Sequence, residues 1–289
     1  MTGHPLIKHL PPTQVALGVQ TVDVATRVLL MGVVNRTPDS FFDQGAYFEL
    51  DRALRLAAQL VADGADIIDV GGVRAGPGPE VTPGEEIDRV LPAIEAIVAR
   101  FDVAVSVDTF RAEVAEAAYK AGAVMGNDIS GFADPDYLSV AQRHGASVVA
   151  THIRLRPRVN DPDPHYPNDD VVSACEQFLR ERLERARAAG LRDDQIILDA
   201  GLDLGKTTPQ SLELLQASAR LASIGPCLLL SASNKGFLGE LFDLKIDERW
   251  EATLAALSLG VSGGCRVLRV HDVRAASRVA RTLEAILQA

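Results

Sequence analysis

Cysteine is scarce: Cys175, Cys227 and Cys265 are the only three, they stand far apart, and no C-x-x-C spacing occurs. An odd, scattered set excludes a disulfide framework and a zinc ribbon, and fits free buried thiols in a reducing compartment. Aromatic residues are only 5%, so the core must be Ala, Val, Leu and Ile, which suits packed helices and buried parallel strands. Basic residues are outnumbered, 29 Lys and Arg against 39 Asp and Glu, for a net charge of -10. That excludes nucleic acid as the main partner, because phosphate binding needs a basic face. There is no apolar run of about 18 residues, which excludes a membrane-spanning helix. Residues 1–18 carry prolines and two His but no basic-then-apolar leader pattern, so the expected location is the cytoplasm. No G-x-S-x-G elbow and no H-E-x-x-H occurs, and His152 and His165 are too isolated to read as a zinc site.

What is present is a repeat: a short apolar run, a polar or Gly-rich turn, then an amphipathic helix, eight times over. The apolar runs fall at 28–34, 67–70, 104–107, 124–128, 147–150, 196–198, 227–230 and 267–270. Helical patterns follow at 50–63, 84–100, 112–121, 137–144, 171–189, 209–221, 247–259 and 273–287. Gly64 and Gly190 stand where left-handed helix ends belong, and Pro209 marks a helix start. Strands apolar on both faces, alternating with helices, mean a parallel sheet. Eight units in 289 residues predict a closed (β/α)8 TIM barrel, which needs about 250. No composition break divides the chain, so the barrel is expected over 27–289, after an N-terminal extension over 1–26. Two loops are long, 35–49 and 154–169. The second, with four prolines, reads equally as a functional loop or a surface excursion.

Chemistry in such a barrel sits where the strands end. The ends here carry Asn35, Asp69 before Gly71-Gly72, Asp108-Thr109, Asn127-Asp128, Thr151-His152, Asp199, then Ser231, Ser233, Asn234 and Lys235, and finally Arg269 and His271. Acids and amides come from the third, fourth and sixth strands. Cations come from the seventh and eighth, with Lys206 nearby. A carboxylate beside a ring of amides suits a flat heterocycle with N–H donors along one edge. Arg269 and His271, two apart and so on one strand face, suit a phosphate or pyrophosphate. In an acidic protein a local cation pocket focuses an anion that the net field would repel. No strand end carries Glu, which argues against a paired-carboxylate glycosidase. The Gly71-Gly72 and Gly76-Pro77-Gly78 stretch lacks the spacing of a dinucleotide fingerprint.

These residues resemble a known family, the dihydropteroate synthases. The matching motifs are Met31-Gly32-Val33-Val34-Asn35-Arg36-Thr37-Pro38-Asp39-Ser40-Phe41, Gly64-Ala65-Asp66-Ile67-Ile68-Asp69-Val70-Gly71-Gly72, Ser106-Val107-Asp108-Thr109 and Asn127-Asp128. Asp199 with Gly205-Lys206, Ser233 with Lys235, and Arg269-Val270-His271-Asp272-Val273 complete a series that runs in order from about 27 to 287. The resemblance implies joining of 6-hydroxymethyl-7,8-dihydropterin pyrophosphate to para-aminobenzoate, with pyrophosphate leaving, for folate synthesis. It implies that Asp108, Asn127 and Asp199 read the pterin edge, with Lys235 at its carbonyl side. It further implies that Asn35 binds Mg²⁺ and that Arg269 and His271 hold the leaving pyrophosphate. Catalysis then falls to Lys235, Arg269 and His271 with the metal, which stabilise charge on the leaving group while a neutral aniline attacks. A homodimer is implied too, with Trp250 and Leu254 on one helix face; that face reads equally as core against the barrel.

The departures cluster. The family's Glu-Ser-Thr-Arg-Pro-Gly is here Val73-Arg74-Ala75-Gly76-Pro77-Gly78, and its Ser-Arg-Lys-Ser is Ser233-Asn234-Lys235-Gly236. Its Pro-Gly and Gly after the sixth strand give way to Ala200 and Asp203, the latter a negative charge beside a site for anions. The altered set, Arg74, Ala75, Gly76, Asn234 and Gly236, lies on the acceptor side. The same loop and turn are found in the second, divergent synthase-like paralogue of actinobacteria, which implies synthase activity that is weak or lost. Each lost charged contact costs about 2–5 kcal/mol when its partner stays buried. Two other readings stand beside it: an active synthase with a rebuilt acceptor site, in which Arg74 substitutes, and a pterin-binding protein or enzyme with another acceptor. A methyltetrahydrofolate-handling methyltransferase shares the barrel and pterin acids but has no need of Arg269 and His271 as an anion clamp.

Overall fold

A strand buried on both sides sends alternate residues to opposite faces, so one strand serves two cores. The computed structural model describes residues 14–37 and 49–288. The Pro38-Asp39-Ser40-Phe41 end of the first motif and most of the first long loop lie outside the described residues. The described chain opens on an antiparallel hairpin of β1 (Gln14–Leu17) and β2 (Gln20–Asp23). Eight parallel strands follow: β3 (Leu29–Asn35), β4 (Ile67–Gly71), β5 (Ala104–Asp108), β6 (Met125–Asp128), β7 (Ser147–Thr151), β8 (Ile196–Asp199), β9 (Cys227–Leu230) and β10 (Cys265–Val270). They close in sequence order, with β10 pairing β3. The fold is the (β/α)8 barrel that the repeat predicts.

The helices are α1 (Leu50–Ala62), α2 (Pro83–Arg100), α3 (Ala112–Lys120), α4 (Tyr137–His144), α5 (Val171–Ala188), α6 (Thr208–Gln216), α7 (Ser218–Ala222), α8 (Gly236–Glu240), α9 (Trp250–Ser262) and α10 (Val273–Gln288). Their apolar faces pack on the outward strand residues, such as Leu30 and Val34 of β3 and Ile68 and Val70 of β4. Where one helix is expected over 209–221 the chain makes two, α6 and α7, with Ala217 at the joint. The five-residue α8 is too short for its periodicity to register in sequence.

The inward residues form a separate core: Leu29, Met31, Ile67, Met125, Val149, Ile197, Cys227, Leu229 and Val267. Val15 and Val24 of the hairpin region join it, both fully buried. The hairpin thus stoppers the barrel at the strand starts, and the buried Ser147 hydroxyl holds it by donating to the Ala16 carbonyl at 2.7 Å. One pleat further along, the interior turns polar. The next inward positions are Val33, Asp69, Ser106, Asn127, Thr151, Asp199, Ser231 and Arg269, with Asn35 and Asp108 one pleat beyond, which leaves one largely polar mouth at the strand ends.

Candidate active site

Period-two alternation, applied to eight paired strands, builds a ring. Asp108 on β5 lies in register with Asn127 on β6, and Asp199 on β8 with Thr151 on β7. The motif Asn127-Asp128 is divided by the pleat. Asn127 turns inward and its Nδ2 donates to Asp69 Oδ2 at 3.0 Å. Asp128 turns outward and accepts from the Ser130 and Phe132 amides at 2.6 and 2.9 Å, which shapes the loop after β6. Asp199 accepts from the Gly201 amide at 2.8 Å. Gly201 sits at φ 63° with an added Cβ falling 2.1 Å from the His152 carbonyl oxygen, so only glycine makes this turn.

Arg269 reaches across this ring. Its Nε donates to Asp69 Oδ2 and its Nη2 to Asp108 Oδ2, both at 2.7 Å. Asp69 is thus a member of the site, fully buried and bonded to both Asn127 and Arg269. In sequence Asp69 stands among the polar strand ends, but neither the strand-end pattern nor the resemblance gives it a role of its own; one acid inside a buried apolar strand marks it. Burial pushes Asp108 up to about 7, against the pull of Arg269 and with help from Asp69 and Glu86. Burial also raises Asp199 and lowers Lys235, which lies within the fields of Asp203, Arg269, Asp199 and Asp108. Burial, then Arg269 and Lys235, holds His271 down to about 3, so its imidazole is neutral and acts as a hydrogen-bonding group, not a cation. The Ser233 hydroxyl meets His271 Nδ1 at 3.0 Å and accepts from the His271 amide at 3.2 Å, fixing the ring.

Lys206, sorted with the cations, has a different use. Its ammonium is buried and donates to the carbonyls of His152, Gly201 and Leu204 at 3.1, 2.8 and 3.1 Å. One bond ties the loop after β8 to the loop after β7 through the His152 carbonyl, and the other two close the β8 loop on itself.

Above the ring opens a cavity of about 520 Å³, in the range of small-molecule sites. Asn35, Arg74, Ala75, Gly76, Asp108, Lys235, Gly236, Arg269 and His271 all border it. Asn127 and Asp199 line a recess beneath it that shares Asp108, Lys235 and Arg269. Asn234 borders neither. It sits at φ 56°, fully buried, with its amide pinned by Thr253 Oγ1 at 3.2 Å and its carbonyl by Arg249 at 2.9 Å. The Arg74 guanidinium lies against Gly76, where an added Cβ would stand 3.6 Å from Nη2. It therefore occupies the space that a side chain at position 76 would enter. The 154–169 loop is a wall of the cavity: Arg158, Val159, Asn160 and Asp161 border it. The loop is held by Arg154 on Asp161 at 2.7 Å, by Tyr166 on the Gly205 carbonyl at 3.1 Å and by Gln210 on the Pro164 carbonyl at 3.0 Å.

Comparison with known proteins agrees with this geometry. Residues 31–271 match the family described as pterin binding enzyme. The chain is 41% identical to a dihydropteroate synthase of Bacillus subtilis (strain 168) over 263 residues, 90% of this chain and 89% of that protein. It is 43% identical over 270 residues to a Mycobacterium leprae (strain TN) protein named inactive dihydropteroate synthase 2, covering 91% of each. A solved structure of the Xanthomonas albilineans dihydropteroate synthase with 4-aminobenzoic acid superposes with a TM-score of 0.87 at 34% identity, covering 96% of this chain and 100% of that one.

Proposed function

Since the chain belongs to the family of pterin-binding enzymes, we propose that its barrel mouth binds 6-hydroxymethyl-7,8-dihydropterin pyrophosphate, and that condensation with para-aminobenzoate is weak or lost. One observation carries this reading: the recess gathers Asp108, Asn127 and Asp199 with Lys235, while the acceptor-side amide of Gly236 is already bonded to Asp203 at 2.7 Å. Asp108, Asn127 and Asp199 accept from and donate to the pterin edge, and Asp69 and Arg269 hold Asp108 and Asn127 in position. Lys235 faces the pterin carbonyl side. Arg269 and the neutral His271 face the pyrophosphate, Arg269 by charge and His271 by hydrogen bonding.

Magnesium fits the residues present. Asn35 offers a hard amide oxygen at the cavity wall, and among the described residues no group of three or more His, Cys, Asp or Glu could hold a metal. The protein would therefore contribute little beyond Asn35, leaving pyrophosphate and water to complete the shell, as Mg²⁺ commonly allows. When bound, the ion neutralises charge gathering on the leaving oxygens. The three cysteines are free and buried, which supports a reducing cytoplasm. Among the described residues no helix is long and apolar enough to cross a membrane. A homodimer through α9 would use the half-buried Trp250 and Leu254 on one helix face, although Leu254 also packs against the core of its own chain. Light scattering is expected to give twice the 30.9 kDa chain mass, and a monomer mass would overturn it.

A second reading, an active synthase with a rebuilt acceptor site, is favoured by the Arg74 guanidinium in the space beside Gly76. Turnover separates the two. Protein, Mg²⁺, the pterin pyrophosphate and para-aminobenzoate are mixed and dihydropteroate is followed by mass, with pterin pyrophosphate binding followed by calorimetry. Binding with product at least a hundredfold below an ordinary rate of about 10 s⁻¹ is expected. Product at the ordinary rate establishes the second reading, and absence of binding overturns both.

A further inference from the structure

Two departures on the acceptor side, Asp203 and Gly236, are 33 residues apart in sequence and form one contact in space. Asp203 stands at φ 69°, a left-handed conformation that favours glycine. It is kept there by two bonds: its amide donates to Ser211 Oγ at 3.2 Å, and its Oδ2 accepts from the Gly236 amide at 2.7 Å. A Cβ added at Gly236 would fall 3.0 Å from Oδ2 and 3.4 Å from Oδ1 of Asp203. A serine there would crowd the carboxylate, which would have to give by a few tenths of an ångström. The acid fits best beside a glycine, and both border the cavity with Lys235 and Arg249.

We infer that Asp203 is a resident carboxylate that sets acceptor choice, so that the cavity takes an aromatic amine with no negative charge at its far end and turns away para-aminobenzoate. This rests on the pterin pyrophosphate reading above. A ligand carboxylate at this wall would find the Gly236 amide already used and a like charge in its place. Two carboxylates about 4 Å apart repel strongly enough for a tenfold or greater loss of affinity, even when Lys235 offsets part of the field. Asp203 Oδ1 makes no hydrogen bond among the described residues, so the wall offers an acceptor to an N–H donor such as a carboxamide. Val33, Val73, Pro77, Ile153, Val159 and Leu204 border the same cavity and give an aromatic ring its apolar flanks. In the reaction the amine nitrogen forms a bond to the pterin methylene carbon. The carbon–oxygen bond to pyrophosphate breaks, its electron pair leaves with pyrophosphate, and the nitrogen gives one proton to solvent.

The test compares para-aminobenzoate with its neutral counterpart para-aminobenzamide. Each is titrated by calorimetry into protein saturated with 6-hydroxymethyl-7,8-dihydropterin, inorganic pyrophosphate and Mg²⁺, a mixture that cannot form the C–N bond. The unaltered chain is expected to bind the amide at least tenfold more tightly than the benzoate. Asp203→Asn keeps the shape and the Gly236 bond and removes the charge; Asp203→Gly suits the backbone angle and removes the side chain. Both are expected to tighten para-aminobenzoate tenfold or more, with a change in pterin affinity several-fold smaller, arising from the field of Asp203 on Lys235. A preference unaltered in both variants, or no binding of either amine to any form, overturns the inference while the pterin reading stands. Failure of the pterin titration itself overturns the pterin reading, and the inference with it.

Discussion

Replacing Asp199 with asparagine is expected to stabilise the ligand-free protein and, in the same molecule, to cost it roughly ten- to a hundredfold in pterin affinity. The two effects share one cause. Asp199 is 6% exposed, and burial raises its pKa, so the empty site holds a carboxylate in surroundings that disfavour its charge. Asparagine removes the charge and keeps an oxygen for the Gly201 amide. A gain of about 1 kcal/mol corresponds to a Tm rise of roughly 2–4 °C. A pterin edge, whose N–H groups want an ionised acceptor, then meets a neutral amide and loses charge-assisted bonds. The pH dependence follows the raised pKa. Folded Asp199 keeps its proton at pH values where the unfolded chain has lost it, so its contribution is full below the unfolded pKa of about 4 and is lost as pH rises through the folded value. Asp108, raised to about 7, acts in the same sense, so stability is expected to fall between about pH 4 and pH 7. Asp199→Asn should flatten part of that fall. Urea unfolding at pH 5 and pH 8 and pterin calorimetry provide both readings. A destabilised variant with unchanged affinity would make Asp199 a structural residue only.

Removing Arg269 should have the largest effect on the fold itself. Arg269→Ala leaves Asp69 and Asp108 with no guanidinium, and the Asp69 side chain has no solvent exposure to compensate. Stranding buried charge in this way costs about 3–5 kcal/mol. Part of that cost is recoverable by protonation. Asp108 is already raised with Arg269 present, and without it the folded value moves higher still, so the deficit is expected to be larger at pH 8 than at pH 5.5. Arg269→Lys should recover only part of the loss, because one ammonium cannot make the two-pronged contact to Asp69 and Asp108. On the proposed reading, pterin affinity should fall along with pyrophosphate affinity, since the same guanidinium holds Asp69 and Asp108 at the recess. A variant that unfolds like the parent chain at both pH values would rule out the bridge as a stabilising element. A loss confined to pyrophosphate would make Arg269 an anion clamp that leaves the acid ring unchanged.

Much of this site was legible because a closed parallel barrel turns sequence position into spatial position. Once eight apolar runs are recognised, residues such as Asp108, Asn127, Asp199 and Arg269 must meet at one mouth. What was not legible depends on side-chain partners that lie far apart in the chain. Asp69 stands among the strand ends in sequence, but its part in holding the site together comes only through its bond to Arg269, 200 residues later. Lys206 has the charge for an anion site, but its ammonium is used up on three carbonyls. His271 keeps its place at the cavity and loses its charge to burial. Asn234 takes a left-handed turn that carries its side chain out of the cavity. The hairpin of β1 and β2 escaped notice because two four-residue strands around Gly18 are too short to register beside the prolines that precede them.

The layered interior has an evolutionary consequence. Below Asp69 the inward residues answer only to packing, and the hairpin seals them from any ligand. The acceptor side is made of loop residues at the rim, and the ladder of paired strands does not pass through Ala75, Gly76 or Asp203. A lineage can therefore drift at the rim, abandoning or exchanging one substrate, without first weakening the framework that grips the other. Divergence of this kind is open to any duplicate gene copy released from its original task. The barrel then persists as a well-folded vessel whose second reactant is free to change.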